Sequence, residues 1–401
     1  MIEFDDAQRR LSEAACAPEH TDTVALLQAR GRILAVDVKA AIDLPSADNS
    51  AMDGYALRFS DLRSGTPLPV SQTIYAGSAA DRLAEGSCAR LFTGSLIPPG
   101  ADTVVMQEDV QVTDQAITVS APPVQGQHIR RRGEDTASGS VILNAGVRLD
   151  AAHIALLASQ GLSEIAVFPR LKVGILTTGD ELVQPGEARA PQQIFNSNGA
   201  MLAALVETMG AQATMVLHAR DTEADLAAAF EQLGKACDLV LSVGGVSVGD
   251  KDFVKPVLAS LGAQLAMWRV RMKPGKPVAL AHLNGTPVVC LPGNPVSAFT
   301  VFTLLVSPLV RRMQGRADIF PYVSHVTLRT ESPRQNSREE FLRARLQLVT
   351  GSNAELEVFP NQGSGVMSSL PWATGLARIP ADVPVYDGEK VAYYELSRWL
   401  G

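Results

Sequence analysis

The middle of the chain alternates short, almost continuously apolar runs with longer amphipathic segments. The apolar runs predict strands buried on both faces, at residues 171–179, 213–217, 239–243, 277–283 and 287–291. The amphipathic segments predict helices at 198–209 and 222–237, the second of them capped by Asp221 or Thr222. Because strands and helices alternate, we expect a parallel, doubly wound α/β sheet.

The regions on either side have different patterns. Residues 4–29 carry apolar residues at helical spacing and predict two short helices, and residues 151–159 predict another. Between residues 43 and 135, glycine and proline recur between short β-like runs, which indicates a small all-β module. After Pro321 a small C-terminal barrel or sandwich is predicted, with strands at 322–329, 338–348, 355–359 and 388–395.

Composition limits the partners and the compartment. The net charge of −7 argues against nucleic acid as the main partner, because phosphate binding needs a basic face. The four cysteines stand singly, which makes neither a zinc knuckle nor a disulfide framework and fits a reducing cytosol. The acidic N-terminus has no signal-peptide core. The longest apolar run, 296–310, is shorter than the ~20 residues of a membrane span. We therefore expect a cytoplasmic protein without a membrane segment, in which 296–310 is a buried helix.

Three polar, glycine-containing motifs follow predicted strands. They are residues 177–182 (TTGDEL), 242–253 (SVGGVSVGDKDF) and 290–297 (CLPGNPVS). In open α/β sheets, ligands bind beyond the carboxyl ends of the strands. The convergence of three such motifs at these ends predicts one shared ligand pocket.

The second motif contains a glycine loop at residues 244–250. Gly244, Gly245 and Gly249 allow positive φ angles, so backbone amides can approach an anion, and Ser247 adds a hydroxyl donor. Such a loop suits a phosphate, the terminal group of a pterin or a ring carbonyl. Taken alone, it is equally well explained as a tight turn between a strand and a helix. It matches neither the GxGxxG pattern nor a P-loop, which disfavours dinucleotide binding and ordinary ATP hydrolysis.

Acidic residues collect at the same strand ends. They are Asp180, Glu181, Asp221, Asp250 and Asp252. Carboxylates beside an anion site repel the anion and each other unless a divalent cation is bound. Mg²⁺ prefers one or two carboxylates together with substrate oxygens. A magnesium site is therefore expected here, with helix capping as an alternative role for Asp180 and Asp221.

A basic loop and three loops of the β module complete the candidate set. Residues 271–277 (RMKPGKP) place three cations on a stiff loop, which suits a bound oxyanion or else is a solvated charge run. In the β module, residues 48–56, 93–94 and 131–135 resemble functional loops, with an Asx turn and a salt-bridged surface as alternatives. The six histidines form no HxxxH or HExxH pattern, so a catalytic histidine is not expected.

In this order, the motifs closely resemble those of the MoeA / gephyrin E-domain family of molybdopterin molybdenumtransferases. The resemblance runs over residues 48–56, 93–94, 133–135, 178–182, 244–250, 273–277 and 291–297. It implies a multidomain α/β plus β protein with four domains. These are a helical linker at 1–42 and 136–170 (part of 20–42 packing on the α/β domain), a β lid at 43–135, a MogA-like doubly wound α/β domain at 171–320 and a C-terminal β-barrel at 321–401.

The resemblance also implies an activity. The protein is expected to insert molybdenum from molybdate into adenylylated molybdopterin, with Mg²⁺-dependent cleavage of the adenylate and release of AMP. It is expected to be a homodimer whose active site is shared between subunits. Further contacts are expected with the adenylyltransferase that makes the substrate and with proteins that mature the cofactor.

Residue roles follow from the same resemblance. The expected catalytic residues are Asp53, Thr93, Asp135, Glu181, Asp221 and Asp252, of which Glu181, Asp221 and Asp252 would hold the metal. The three lid residues among them, Asp53, Thr93 and Asp135, would face the cleft of the partner subunit. The expected substrate-binding residues are Gly244, Gly245, Ser247, Gly249, Asp250, Lys273, Lys276, Pro292, Pro295, Ser297, Arg343 and Ser364.

Two functions of other kinds stay open at this point. A molybdopterin adenylyltransferase shares the α/β domain and its glycine loop, but it is typically that domain alone, without flanking β domains. A receptor-clustering scaffold, a role of gephyrin's related domain, would carry a fused second module and a long linker, neither of which is expected here. A scaffold would also have no need for a cluster of carboxylates at the strand ends.

Overall fold

A computed structural model describes residues 1–245, 253–348 and 354–401. It divides into two compact units. Unit 1 comprises Met1–Val36, Ala145–Ile154 and Glu164–Gly401, and unit 2 comprises Asp37–Asn144 and Ala155–Ser163. The boundaries of the four expected domains stay a prediction.

The N-terminal segment forms one helix rather than two. Helix α1 (Phe4–Ser12) buries the apolar side of its amphipathic pattern, including Phe4 and Leu11. The second helix predicted before residue 29 is wrong, because Asp22–Ala25 form strand β1, followed by the 3₁₀ turn Leu26–Gln28. Strand β1 pairs antiparallel with β12 (Glu164–Val167), so its backbone is satisfied by a distant strand that local spacing does not reveal. This part of the predicted helical linker is therefore a two-stranded ribbon.

From Asp37 to Asn144, unit 2 is an all-β module, as predicted for most of this length, and it also includes the end of one helix. Its six-stranded sheet has the order β7 (Thr103–Met106), β4 (Gly54–Leu57), β6 (Cys88–Leu91), β5 (Leu68–Ile74), β9 (Ala116–Val119) and β8 (Val110–Thr113). Two ribbons pair β2 (Val38–Lys39) with β11 (Val141–Leu143) and β3 (Asn49–Ser50) with β10 (Ile129–Arg130). Two 3₁₀ turns, Phe59–Asp61 and Gln107–Asp109, and the helix α2 (Ala151–Ser159) complete the elements of this part of the chain.

The sheet of the α/β region has six strands. Its order is β16 (Gln212–Ala219), β13 (Lys172–Thr178), β17 (Leu239–Val243), β21 (Thr286–Leu291), β20 (Ala279–Leu283) and β18 (Gln264–Trp268). The first four are parallel, as predicted, but the expectation of a wholly parallel sheet is wrong for β20 and β18. Strands β20 and β21 form a hairpin because Asn284 and Gly285 both take positive φ angles, the geometry of the tightest hairpin turn.

Helices cover both faces of this sheet. Helix α3 (Ser197–Thr208) packs on one face, and α4 (Glu223–Ala236) and α5 (Val254–Ser260) pack on the other. The short strands β14 (Leu182–Val183) and β15 (Ile194–Phe195) lie between β13 and α3 along the chain and pair with each other in parallel. The last helical run comprises α6 (Pro295–Val301), the π-helical turn Phe302–Val306 and α7 (Ser307–Met313).

The helical run Pro295–Met313 includes the predicted buried helix. Among the described residues, it alone is long and apolar enough to cross a membrane by length and composition. Its most apolar window is 89% buried within the molecule, where Leu304 and Leu309 belong to the main core. It is the core helix of this region.

The C-terminal region forms the predicted barrel. Its strands are β22 (Ser324–Arg329), β23 (Glu339–Gln347), β24 (Glu355–Val358), β25 (Gly375–Ile379) and β26 (Lys390–Glu395). The barrel closes because β23 pairs with both β24 and β25. Strand β25, which completes the closure, was not predicted from the sequence pattern. Two short helices, α8 (Ser369–Trp372) and α9 (Leu396–Trp399), follow strands of the barrel. Strand β19 (Met272–Lys273) pairs in parallel with β23 and carries the basic loop to this barrel.

Candidate active site at the ends of the parallel strands

The neighbouring strands β13 and β16 bring their following loops together. Thr178 stands opposite Ala219 in the parallel register, so residues 179–181 and 220–221 emerge side by side. The Thr178 hydroxyl donates a hydrogen bond to the Asp221 carboxylate, and the Asp221 backbone N–H donates to Asp180 Oδ1 at 3.2 Å. Thr222, rather than Asp221, caps α4 by accepting from the Asp225 N–H. Asp221 is therefore free of the capping role and lines the cleft described below.

Glu181 lies beside Asp221 in the same cleft. Its carboxylate folds over Gly179, where an added Cβ would lie 2.7 Å from Oε2. The side chain is exposed and has no hydrogen-bond or ion-pair partner among the described residues. A carboxylate of this kind remains available to a cation or to the donors of a ligand.

The glycine loop begins with two residues that only glycine can supply. Gly244 has a φ of +100°, and a Cβ there would lie 2.6 Å from the Thr178 carbonyl oxygen. Gly245 has a φ of +62°, and its Cβ would lie 2.7 Å from Val254 Cγ2. Close packing against both neighbours therefore requires these glycines. The predicted site residues Ser247, Gly249, Asp250 and Asp252 lie outside the described residues.

Two asparagines that sequence reasoning missed tie these loops together. Asn196 is buried, caps α3 by accepting from the Gly199 N–H, and donates to Thr177 Oγ1 at 2.9 Å. Asn198 donates from Nδ2 to the Gly293 carbonyl oxygen at 2.7 Å, which links the start of α3 to the loop before α6. A cap signal was present, since Asn-Ser-Asn precedes the amphipathic run of α3.

The three motifs enclose one cleft of 780 Å³. Seven predicted site residues line it, namely Glu181, Asp221, Gly244, Gly245, Pro292, Pro295 and Ser297. Pro295 is the first residue of α6, a position where its missing N–H costs nothing. The expected shared pocket at the strand ends is thus present, with carboxylates on one side and the Pro-Gly-Asn-Pro loop on another.

A second, basic cleft of 480 Å³ adjoins the first, and Ser297 and Pro277 line both. Of the predicted residues, Lys273, Lys276, Ser297 and Ser364 line the basic cleft. Sequence reasoning missed Arg334, Arg338 and Glu340, which also line it. The cleft therefore has four cations and one carboxylate among its lining residues.

The two predicted lysines of the basic cleft differ in their surroundings. Lys273 Nζ is 2.8 Å from Glu340 Oε1, and Glu340 is only 7% exposed. Lys276 is exposed and has no ion-pair partner among the described residues. Between them, Gly275 has a φ of +110°, and a Cβ there would lie 2.5 Å from Val301 Cγ2. The loop thus presents its lysines from a tightly packed backbone.

Arg343 lies beneath the loop that carries Ser364 and lines neither cleft. Its guanidinium donates to Ser369 Oγ at 3.0 Å and to the carbonyl oxygens of Asn361 and Gly363 at 3.2 and 3.0 Å. Burial lowers the pKa of Arg343 to about 10, so the side chain remains charged at neutral pH. The structure therefore places Arg343 as a support for this loop, and its direct contact with substrate stays a prediction.

In unit 2, two of the three expected lid residues are bonded to each other. Asp53 Oδ1 accepts from the Thr93 N–H at 2.7 Å and from Thr93 Oγ1 at 2.8 Å. These two bonds, together with the nearby Arg90 guanidinium, lower the pKa of the Asp53 carboxyl. Asp135 is exposed and has no bond to either residue among the described contacts, and its N–H donates to the Leu44 carbonyl oxygen.

Two of the three expected metal ligands, Glu181 and Asp221, lie among the described residues. Among the described residues, no group of three or more His, Cys, Asp or Glu side chains could hold a metal ion. Glu181 and Asp221 share the cleft, but the third expected ligand, Asp252, is not among those residues. Two carboxylates beside an open cleft fit the preference of Mg²⁺ for few protein ligands and several oxygens from water or substrate.

Three protein-family models match this chain, one after another along its length. They are the MoeA N-terminal region (domain I and II) at residues 2–161, the "Probable molybdopterin binding domain" at residues 174–312 and the MoeA C-terminal region (domain IV) at residues 325–396. Together they define a protein of molybdenum cofactor biosynthesis with a molybdopterin-binding domain between two MoeA-specific regions.

Individual relatives give the same assignment. The molybdopterin molybdenumtransferase of Haemophilus influenzae is 41% identical over 318 residues, covering 79% of this chain and 78% of the relative. Molybdopterin molybdenumtransferase 2 of Mycobacterium tuberculosis is 36% identical over 99% of this chain and 100% of its own length. A crystal structure of the MoeA protein of Pyrococcus horikoshii OT3 is 30% identical, with a TM-score of 0.85 over 98% of this chain and 100% of that one. The chain belongs to the MoeA family of molybdopterin molybdenumtransferases, which are transferase enzymes.

Proposed function

We propose that this enzyme inserts molybdenum from molybdate into adenylylated molybdopterin, cleaving the adenylate and releasing AMP. The observation that carries this proposal is the junction of the two clefts, where Ser297 and Pro277 line both. A cleft with two carboxylates and a cleft with four cations are different environments, and this reaction needs both. The phosphoanhydride needs a cation to offset its charge, and molybdate, a tetrahedral dianion, needs cationic and hydroxyl donors.

The basic cleft is the proposed molybdate site. Lys276 is unpaired among the described residues and Lys273 is shared with Glu340, so both can donate to an oxyanion. Ser297 and Ser364 add hydroxyl groups to the lining of the cleft. The Val296 N–H donates to the Ser364 carbonyl oxygen at 3.2 Å, which holds the two serine-bearing loops against each other. Arg343 supports the Ser364 loop from below through its carbonyl contacts.

The acidic cleft is the proposed site of adenylate cleavage. Glu181 and Asp221 are the residues that would hold Mg²⁺, together with oxygens of the substrate. The ion would supply charge neutralisation on the phosphoanhydride when bound. The Thr178 hydroxyl and the Asp180 N–H donate to the Asp221 carboxylate and orient it, while Asn198 donates to the Pro-Gly-Asn-Pro loop and fixes it. Water or a molybdate oxygen is the proposed attacking group.

We also propose that the enzyme works as a cytoplasmic homodimer in which Asp53, Thr93 and Asp135 of one subunit complete the cleft of the other. Transfer of substrate from the adenylyltransferase and of product to cofactor-maturing proteins belongs to the same proposal. Complementation tests the shared site. Mixed dimers of the inactive variants Asp53→Asn and Asp221→Asn should recover about a quarter of the wild-type rate, because half of the random dimers contain one intact site. Recovery of no activity in verified mixed dimers would contradict a shared site.

The two alternative functions make different predictions. An adenylyltransferase would consume ATP in the presence of molybdopterin, whereas the flanking regions that match the MoeA models favour the later step. A pure scaffold would have no need for the carboxylates and cations that line the two clefts.

Measuring the stoichiometry of AMP release separates these functions. Purified enzyme should release one AMP per adenylylated molybdopterin consumed, and only when both molybdate and Mg²⁺ are present. Molybdenum bound to the product should equal the AMP released. Consumption of ATP with formation of adenylylated molybdopterin, and no AMP release with molybdate, would overturn the proposal in favour of the adenylyltransferase.

A further inference from the structure

Three large apolar side chains that line the acidic cleft are exposed. Ile194, Phe195 and Met367, which we call the apolar wall, line the cleft and are 55%, 47% and 40% exposed. Leaving large apolar side chains open to water is unfavourable, and such surfaces concentrated in a pocket mark a ligand contact. The Glu181 and Asp221 carboxylates line the same cleft.

The apolar wall is attached directly to the polar side of the cleft. The Ile194 N–H donates to the Glu181 carbonyl oxygen at 2.8 Å, and the Asn196 N–H donates to the Val183 carbonyl oxygen at 2.8 Å. These bonds flank Phe195 on both sides along β15. Asn196 is itself buried and anchored to Thr177 at the end of β13. The position of Phe195 relative to Glu181 is therefore set by backbone pairing, as recognition of a rigid ligand requires.

We propose that the apolar wall binds the flat face of a fused nitrogen heterocycle, the pterin of the substrate, with Phe195 as the stacking residue. This inference rests on the proposed function and names the part of the substrate that the acidic cleft takes. An aromatic face and a thioether both pack well against a planar ring of a nitrogen heterocycle. Such stacking needs no hydrogen bonds to the face of the ring.

The substrate contains two planar heterocycles, and the arrangement of the clefts favours the pterin over the adenine. Molybdenum must reach the dithiolene, which is carried on a ring fused to the pterin, whereas the adenine is separated from it by a ribose and two phosphates. Met367 lies three residues beyond Ser364, which lines the basic cleft, and Ser297 lines both clefts. The ring on the apolar wall is therefore the one next to the molybdate site.

The test compares Phe195→Ala with two further variants at that position and with a matched control. Phe195→Tyr keeps the ring, and Phe195→Leu keeps apolar volume without it. Phe320→Ala removes a phenylalanine that is 48% exposed, close to the 47% of Phe195, and does not line either cleft. Steady-state AMP release gives KM and kcat for adenylylated molybdopterin, and competition gives inhibition constants for molybdopterin and for AMP.

Phe195→Ala should raise KM for adenylylated molybdopterin and the inhibition constant of molybdopterin by about 5- to 150-fold, the usual loss for one stacked base. The value of kcat should stay within about twofold of wild type, because stacking on the ring holds the bound substrate and the transition state alike. The inhibition constant of AMP should also stay within about twofold, because AMP contains no pterin. Phe195→Tyr should behave like wild type, Phe195→Leu should be intermediate and Phe320→Ala should show no change.

An unchanged KM in Phe195→Ala would overturn the proposal. Weaker inhibition by AMP with unchanged inhibition by molybdopterin would also overturn it, because the wall would then hold the adenine. Equilibrium dialysis of molybdopterin against wild type and Phe195→Ala gives a readout that does not need turnover. If the wild-type enzyme releases no AMP, the proposed function fails, and the dialysis still shows whether the apolar wall binds a pterin.

Discussion

The acidic and basic clefts adjoin each other, but they are assembled by different means. Glu181 and Asp221 follow neighbouring parallel strands of one sheet, so strand register alone brings them together. Lys273 lies on β19, which leaves the α/β region and pairs with the barrel strand β23. The basic cleft also takes Arg334 and Arg338 from the segment before β23. It exists only because segments of the α/β region and the barrel meet within one compact unit.

Each cleft contains one charge with a partner and one without, since Asp221 accepts from Thr178 and Lys276 has no ion-pair partner among the described residues. The Glu181 carboxylate has no partner among the described residues, whereas Lys273 is paired with the nearly buried Glu340. An unpaired carboxylate suits a role in which a cation and a substrate arrive together. A paired lysine on a packed loop suits recognition of a small anion of fixed size, because less ordering is needed on binding. The unpaired Glu181 therefore suits the chemical step, and the paired Lys273 suits placement of the anion.

The largest expected effect lies in the acidic cleft. Asp221→Asn should lower kcat for AMP release by about 10²- to 10³-fold, since it removes a charge that stabilises the reacting phosphates. Asp225→Asn is the control, because Asp225 lines neither cleft and pairs only with Arg220 and the cap of α4 among the described contacts. A loss below about tenfold in Asp221→Asn, with Asp225→Asn active, would remove Asp221 from the catalytic set.

The basic cleft should respond in KM for molybdate rather than in kcat. Lys276→Ala should raise this KM about tenfold, the loss of one charge-assisted hydrogen bond. Lys273→Ala should raise the KM for molybdate more than Lys276→Ala does, by about 10- to 100-fold relative to wild type. The reason is that Glu340 is then left unpaired and repels the dianion. The double variant Lys273→Ala/Glu340→Gln should recover part of the loss. If Lys276→Ala is more damaging than Lys273→Ala, the role given to Glu340 is wrong.

A smaller effect is expected from the backbone of the basic loop. Gly275→Ala should destabilise the protein by about 1–2 kcal/mol more than Gly262→Ala in denaturant unfolding. Both glycines have positive φ angles, but a Cβ at Gly275 meets Val301 at 2.5 Å, whereas nothing lies within 4 Å at Gly262. Adding Val301→Ala should relieve the steric part only. Equal destabilisation by the two single variants would mean that the loop is not held by this contact.

The smallest effect concerns Asp53, which, unlike Glu181, is held by hydrogen bonds. Thr93→Val should raise the pKa of Asp53 toward its ordinary 3.8, but not fully, because the Thr93 N–H bond persists. The stabilisation that this carboxylate provides is present above its unfolded pKa and is lost as pH falls through its lowered folded pKa. The variant should therefore be slightly less sensitive to acid in this region. Carboxyl carbon chemical shifts measured against pH would check the direction, and an unchanged pKa would contradict the assigned cause.

Sequence reasoning predicted the acidic cleft better than the basic one. The alternation of strands and helices placed the motifs around Glu181, Gly244 and Pro292 at strand ends, and parallel strands must direct those ends to one edge of the sheet. The glycines at 244 and 245 were expected to take positive φ angles, and they do. The pairing of β1 with β12 was not foreseen, because it depends on contacts between segments far apart in the chain.

By itself, the sequence determined which residues could meet at the end of a strand, because hydrophobic periodicity and turn chemistry act over a few neighbouring residues. It also carried the ordered motifs that assign the family. Three features depended on the tertiary structure. Glu340 pairs with Lys273, and Arg343 supports a loop rather than lining a cleft. Phe195 and Met367, far apart in the chain, line the same cleft. These contacts join distant segments, and their energies depend on burial and distance, which exist only once the chain has folded.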